Sequence, residues 1–391
     1  MELSNRIKKV KPSATLVITA KANELKRKGI DVIGFGAGEP DFDTPDYVKE
    51  GAIRALKEGK TKYTPAAGIP ELREGVAKKL KERNKIEYSP SEVVITPGAK
   101  MGLYEIFAIL LNPGDEVIVP APYWVSYTEQ IKLCDGEYQT PMLSEENGFV
   151  LTADLLKEVI TDKTKAVVVN SPSNPTGAVI PKKELEKIAQ VCLEKGVMII
   201  SDECYEEFAY DEPHVSIASL DKDVRDITFT VGAFSKSYSM TGWRLGWVAA
   251  PEKYTKAIAT MQGQTVSNPT SFAQYGALEA LKDGGKFPKM MREEFKKRRD
   301  YIVEELNSIE GIKCNKPQGA FYVFPNISTY IKGNIKNDVD FASYLLEEAK
   351  VAVVPGSAFG AEGYIRMSYA TSMDNIKEGL RRIKEALAKL R

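Results

Sequence analysis

Short, almost uninterrupted apolar runs alternate with amphipathic stretches through the middle of the chain. EVVIT (92–96), DEVIVP (115–120), KAVVVN (165–170), VMIIS (197–201), ITFTVGAF (227–234) and RLGWVAA (244–250) are the clearest runs. Continuity, rather than in–out alternation, predicts strands buried on both faces, as in a mainly parallel sheet. Between them AKMGLYEIFAILL (99–111) and PKKELEKIAQVCLEKG (181–196) carry apolar residues at helical spacing. Strands alternating with helices indicate an α/β fold class. Pro45 and Pro70 are predicted at first helical positions, where a missing N–H costs nothing.

Toward the C-terminus the pattern changes. GAFYVFP (319–325) and VAVVPG (351–356) read as strands of a smaller α+β unit. Ile376, Leu380, Ile383, Leu387 and Leu390 form one apolar stripe on a last helix. A long amphipathic stretch from about Pro288 to Ile309 links the two units. The expected organisation is a large domain over 45–287, with 1–44 and 288–391 forming an N-terminal segment and a small C-terminal domain. A length of 391 residues suits two cores.

Composition narrows the function. Lys plus Arg equals Asp plus Glu at 54 each, which argues against a general nucleic-acid or membrane surface. No apolar run approaches the roughly 18–20 residues of a membrane span. The first residues lack a sustained apolar segment, so a cytoplasmic protein is expected. Cys134, Cys192, Cys204 and Cys314 are widely spaced, as in a protein with reduced thiols. The single histidine, His214, sits in the polar loop YDEPHVS. A histidine-based triad or histidine-rich metal site is not expected, and acid–base work falls to lysine, carboxylate or tyrosine.

The chemically notable residues cluster at predicted C-terminal strand ends, where ligands bind in open α/β sheets. Strand 92–96 runs through TPGAK into a helix, whose small first residues let backbone N–H groups approach a phosphate; a plain strand–turn–helix junction is the other reading. NSPSNPTG (170–177) offers the Asn174 amide, or merely a capping loop. SDECY puts Asp202 after an apolar strand with Tyr205 nearby; a buried carboxylate there needs a partner such as a cationic ring nitrogen or an arginine. Lys236 follows strand 227–234, beside Ser235 and eight residues before Arg244. Desolvation and a neighbouring cation both favour the neutral, nucleophilic amine. Arg366 stands within the apolar YIRMSYA, suited to a carboxylate or to a cross-strand ion pair. Together these residues match the needs of pyridoxal 5′-phosphate and an amino acid. The glycines of GFGAGEPDF (34–42) have the wrong spacing for dinucleotide binding, and no helix opens within them.

The ordered motifs KPSAT, AGEPDFDTP, KTKYTPAAGIPELRE, APYWVSY, NSPSNPTG, SDECY, SKSYSMTGWRLGW, VVPGSAFG and RMSYATS run nearly end to end. In these the chain resembles the fold-type I, class I pyridoxal-phosphate aminotransferases. It is most similar to the aspartate aminotransferase subgroup that includes aspartate/prephenate enzymes. The resemblance implies a large domain with a mainly parallel sheet flanked by helices, a smaller α+β domain, and a homodimer with shared active sites. It implies that Lys236 bonds covalently to the cofactor and then shuttles the substrate proton. Asp202 would pair with the ring nitrogen, Asn174 and Tyr205 would reach the ring's 3-hydroxyl oxygen, and Trp124 would stack on the ring. Gly98, Ala99 and Lys100 of the turn, with Ser235 and Arg244, would surround the phosphate. Tyr63 would reach that phosphate from the second subunit. Arg366 would clamp the substrate α-carboxylate, with Gly38, Trp124 and Asn174 lining the same site.

One departure bears on the substrate. Better-known aspartate aminotransferases have a serine–glycine–threonine turn and a distal arginine from the other subunit. Here the turn is GAK, and no arginine lies between Arg244 and Arg292. In the subgroup it resembles, the turn lysine, here Lys100, binds the distal carboxylate, aided by Ser13 and Thr15. Lys11 would suit a second, ring-borne carboxylate such as prephenate's, or would be a solvated lysine. The expected activity is transfer of the amino group of aspartate or glutamate to a 2-oxo acid such as 2-oxoglutarate. A related pyridoxal-phosphate enzyme (an aromatic or alanine aminotransferase, or a β-lyase) shares almost every motif. A binding protein that keeps the fold without turnover is a further alternative.

Overall fold

The computed structural model describes residues 2–12 and 14–390, without the side chains of 14–17 and 19. Its strands, in chain order, are β1 (Ile33–Gly34), β2 (Val93–Thr96), β3 (Glu116–Ile118), β4 (Glu137–Gln139), β5 (Thr164–Asn170) and β6 (Met198–Asp202). They continue with β7 (Thr228–Ala233), β8 (Gly246–Ala249), β9 (Tyr322–Val323), β10 (Val351–Ala352), β11 (Val354–Pro355) and β12 (Ile365–Ser368).

Seven of these form one sheet in the order β2-β8-β7-β6-β5-β3-β4. Strands β4, β3, β5, β6 and β7 run parallel, whereas β8 is antiparallel to both β2 and β7. The apolar runs are continuous because both faces are covered. Val167 and Val169 of β5 pack with Leu185, Ile188 and Cys192 of the helix Lys182–Lys195. Ala166 and Val168, one position out of phase, pack with Leu103, Ile106 and Phe107 of the helix Ala99–Leu110. Strand β4 escapes the sequence pattern because EYQ is a short, mostly polar sheet edge.

Pro70 is the first residue of the helix Pro70–Lys79, but Pro45 stands one position before the helix Asp46–Lys57. The segment VAVVPG serves two small sheets. Val351–Ala352 pairs in parallel with β1, and Val354–Pro355 pairs with β12, which in turn pairs antiparallel with β9. The helices Lys286–Asn307 and Met373–Ala388 cover this part. Phe295, Ile302, Ile376, Leu380 and Ile383 share one core with Phe321 and Tyr322. Leu390 lies past the end of its helix and is only partly buried against that core. All four cysteines are free thiols. Among the described residues, no helix is long and apolar enough to cross a membrane.

His214 does not behave as a polar loop residue. Its side chain is buried, with Nε2 3.0 Å from Glu203 Oε2. Glu203 also accepts hydrogen bonds from Ser201 and Ser216. Glu206, one turn further, pairs with Lys79 and accepts from Asn84. A sequence window sees only the polar neighbours of His214, not the carboxylates that bury it.

Candidate active site

The C-terminal ends of β5, β6 and β7, the start of the helix Ala99–Leu110 and strand β12 surround one cavity of about 380 Å³. Lys236, Asp202, Tyr205, Asn174, Trp124, Arg366, Ala99, Lys100, Ser235, Arg244 and Gly38 all line it.

Lys236 sits in a short helical turn, Phe234–Ser237, directly after β7. Its ammonium donates to the Gly38 carbonyl at 2.6 Å. One side opens on the cavity, but the surroundings are mostly protein, and desolvation pushes the amine down to about 8. Arg244 and Arg366 push the same way, while Cys204 and Glu39 oppose them. Close to neutral pH this lysine therefore has an appreciable neutral fraction, unlike a surface lysine.

Asp202 ends β6 and is buried. Its Oδ2 accepts the Tyr127 hydroxyl at 2.6 Å, and its Oδ1 accepts the Cys204 N–H at 3.2 Å. Burial raises its pKa, and these hydrogen bonds only partly offset that. No Lys or Arg among the described residues forms an ion pair with it. Of the two partners the sequence left open, an arginine is not supplied by the described residues, which leaves a carboxylate able to meet a cation entering the cavity.

The NSPSNPTG loop is fixed by its own first residue. Asn170 donates to the Asp202 carbonyl at 3.0 Å and accepts the Asn174 N–H at 2.9 Å. Asn174 Oδ1 then accepts from Arg366 Nη1 at 3.0 Å, and the Gly36 carbonyl accepts from Arg366 Nη2 at 2.8 Å. Arg366 is 2% exposed, yet among the described residues its Nε has no hydrogen-bond partner and no carboxylate pairs with it. A buried guanidinium left with only neutral acceptors is costly unless an anion completes it. The cross-strand ion-pair reading of Arg366 is therefore set aside. The GFGAGEPDF segment supplies the carbonyls of Gly36 and Gly38, and no helix opens until Asp46.

The turn at the start of the helix Ala99–Leu110 is shaped around Arg244. Gly98 has φ +83°, and a Cβ there would lie 2.4 Å from Arg244 Nη2. Arg244 itself adopts φ +53° and donates from Nη1 to the Thr241 carbonyl at 2.7 Å. The guanidinium lies against the helix N-terminus, where an anion would meet backbone N–H groups as well. Lys100 Nζ lies 4.8 Å from the Trp124 ring centroid, and burial, with Arg244, lowers its pKa.

These residues fit a phosphorylated, cationic-ring cofactor and an anionic substrate. Among the described residues, the buried Asp202 carboxylate has no cationic partner and the buried Arg366 Nε has no acceptor. Tyr127, Tyr322, Asn170, Glu39, Thr241 and Cys204 also line the cavity, although the sequence did not single them out. A signal for Tyr127 existed: it stands three residues after Trp124, and the two rings meet edge to face. Three of the expected residues do not line the cavity. Tyr63 is 89% exposed and outside this cavity, Lys11 is exposed and its backbone N–H donates to Glu129, and Gly98 stands behind Arg244. Ser13 and the side chain of Thr15 lie outside the described residues.

The family pattern described as aminotransferase class I and II matches residues 30–383. The chain belongs to the class I and II aminotransferases. Within that family it is 58% identical to a probable aspartate/prephenate aminotransferase of Aquifex aeolicus (strain VF5), over 99% of each chain. It is 48% identical to an aspartate aminotransferase of Bacillus subtilis (strain 168), over the full length of both. Among solved structures, the aspartate aminotransferase from Thermus thermophilus with maleate superposes with a TM-score of 0.95. That match is 44% identical and covers 99% of this chain and 100% of the Thermus chain. The fold is accordingly the α/β fold of these aminotransferases, with the mostly parallel sheet described above.

Proposed function

We propose that this chain is a cytoplasmic, pyridoxal 5′-phosphate-dependent aspartate aminotransferase working by a two-step ping-pong cycle. The observation that carries the proposal is the convergence of Lys236, Asp202 and an unpaired Arg366 on one cavity. The large unit (45–287) holds Lys236 and Asp202, and the small one (1–44 with 288–391) supplies Gly36, Gly38 and Arg366.

When bound, pyridoxal phosphate supplies a carbonyl carbon that bonds to amines and a ring nitrogen that withdraws electrons from the substrate. Lys236 Nζ would hold the cofactor covalently at that carbon, with loss of water, and once freed by the incoming amino group would carry the proton of the substrate Cα. Asp202, held in place by Tyr127, would face the ring nitrogen. Asn174 and Tyr205 would offer hydrogen-bond donors to the ring oxygen, and Trp124 would stack on the ring. Ala99, Ser235 and Arg244, with Gly98 giving Arg244 room, hold the phosphate. Tyr63 of the partner subunit in a homodimer completes that phosphate site, consistent with its exposure in its own chain. Arg366 binds the α-carboxylate with the fork that Asn174 and Gly36 orient.

Lys100 selects the substrate. A cation at the cavity wall, partly desolvated against Trp124, favours a second carboxylate on the amino acid. Maleate, in the Thermus enzyme, is itself a dicarboxylate. Aspartate and glutamate are the donors that fit, with 2-oxoglutarate the acceptor when aspartate is the donor.

The test is product analysis with purified protein, pyridoxal phosphate and 2-oxoglutarate, comparing aspartate, alanine and phenylalanine as donors. Glutamate formed fastest from aspartate supports the assignment. A preference for phenylalanine or alanine would assign the site to an aromatic or alanine aminotransferase. Pyruvate and ammonia released from a β-substituted substrate, with no glutamate formed, would make it a lyase.

A further inference from the structure

Tyr322 is fully buried on β9, where its partner in register is Ser368 of β12. Its ring carries the Arg366 guanidinium at 4.5 Å and meets the Tyr205 ring edge to face at 5.7 Å. Its hydroxyl lies 2.8 Å from the Tyr205 hydroxyl. A Cβ added at Gly38, whose carbonyl receives Lys236, would fall 3.3 Å from the same hydroxyl. Tyr322 therefore stands where the carboxylate clamp, the lysine's acceptor and the Tyr205 turn meet.

Two hydroxyls joined by one hydrogen bond leave one proton free. If Tyr205 donates to Tyr322, then Tyr205 has no proton left for the cavity. If Tyr322 donates to Tyr205, the Tyr205 proton must point elsewhere, and the cavity is the open direction. The environment separates these cases. Burial raises both hydroxyls; at Tyr322 the Arg366 charge is the largest opposing influence, while Tyr205 is raised well above its ordinary range. The more acidic partner is the better donor.

Building on the proposed function, we infer that Tyr322 is a positioning residue that donates its proton to Tyr205 and so commits the Tyr205 hydroxyl to donate into the cavity. An oxygen that accepts one hydrogen bond also donates more strongly through its own proton, so Tyr322 strengthens as well as aims that donation. The recipient is an anionic oxygen on the cofactor ring. Because β9 and β12 carry Tyr322 and Arg366 together, the clamp and this donor are set by one small sheet.

The test uses the cofactor-loaded enzyme without substrate. Tyr322→Phe keeps the ring under Arg366 and removes only the hydroxyl. The pH at which the bound cofactor's visible absorbance changes is expected to rise by roughly half a pH unit. The kcat/KM profile should move with it, while the KM for aspartate stays within about twofold of wild type because the Arg366 stack persists. In a Tyr205→Phe background, Tyr322→Phe should produce no further absorbance shift. A purely structural Tyr322 would lower the melting temperature and leave the transition pH in place, and that result would overturn the inference. So would an equal shift with and without the Tyr205 hydroxyl. A wild-type protein that binds no cofactor would instead overturn the proposed function, and the inference with it.

Discussion

The Tyr127 hydroxyl donates to Asp202 Oδ2 at 2.6 Å, in a wall of the cavity where no basic side chain among the described residues pairs with the carboxylate. Tyr127 is thus a neutral donor that opposes the upward pull of burial on this carboxyl. Removing it with Tyr127→Phe leaves the ring packing against Trp124 and deletes only the donor. A hydrogen bond to a charged group is worth about 1.5–3 kcal/mol. The expected outcome is a loss of roughly 10- to 100-fold in cofactor affinity or kcat. Equilibrium titration with pyridoxal phosphate and steady-state kinetics check it.

Arg366→Lys keeps a positive charge and loses the fork. The lysine cannot both satisfy Asn174 and Gly36 and present two parallel donors to a carboxylate. A drop of about 100-fold in kcat/KM for aspartate is expected, from the loss of two charge-assisted bonds. Kinetics with aspartate and glutamate check it, with the absorbance of bound cofactor as a control for an intact site.

The sequence made the sheet legible because its strands are apolar on both faces, as Val167 to Val169 illustrate. It made Lys236, Asp202, Asn174 and Arg366 legible because each is a polar residue attached to such a strand or its following loop. It could not show which hydroxyl reaches Asp202 or Arg366's aromatic neighbour, since Tyr127 and Tyr322 arrive from segments 75 residues before Asp202 and 44 before Arg366. Nor could it show that His214 is buried, because the residues that bury it are Glu203 and Glu206 rather than its own apolar neighbours. The polar edge strand β4 carried too little pattern to find.

Glu105, on the helix Ala99–Leu110, is 0% exposed, and neither carboxyl oxygen has a hydrogen-bond partner among the described residues. Burial pushes its pKa up to about 8. Between roughly 4.3, the unfolded value, and about 8, the native state holds a proton that the unfolded state lacks. Stability therefore falls as pH rises through that window. Glu105→Gln should flatten this dependence, raising the melting temperature by a few degrees at pH 8 and changing it little at pH 5. A variant that melts lower at pH 8 would contradict the assignment.

For His214, burial pulls the pKa down, but Glu203 and then Glu206 more than offset this and the net shift is upward. A raised folded pKa gives stability that is fully present below the unfolded value of about 6.5 and lost as pH rises through the folded value. The stability gap between wild type and His214→Gln, read by urea unfolding, should be larger at pH 6 than at pH 8.5. A gap that widens with pH would mean that His214 is held neutral.

Lys236 is the amine proposed to bond to the cofactor and to move the substrate proton. The most direct measurement is transamination between aspartate and 2-oxoglutarate by Lys236→Ala loaded with pyridoxal phosphate. Retained cofactor with turnover reduced by at least about a thousandfold is the result expected for loss of a nucleophile and general base. Near-wild-type turnover in that variant would contradict the account.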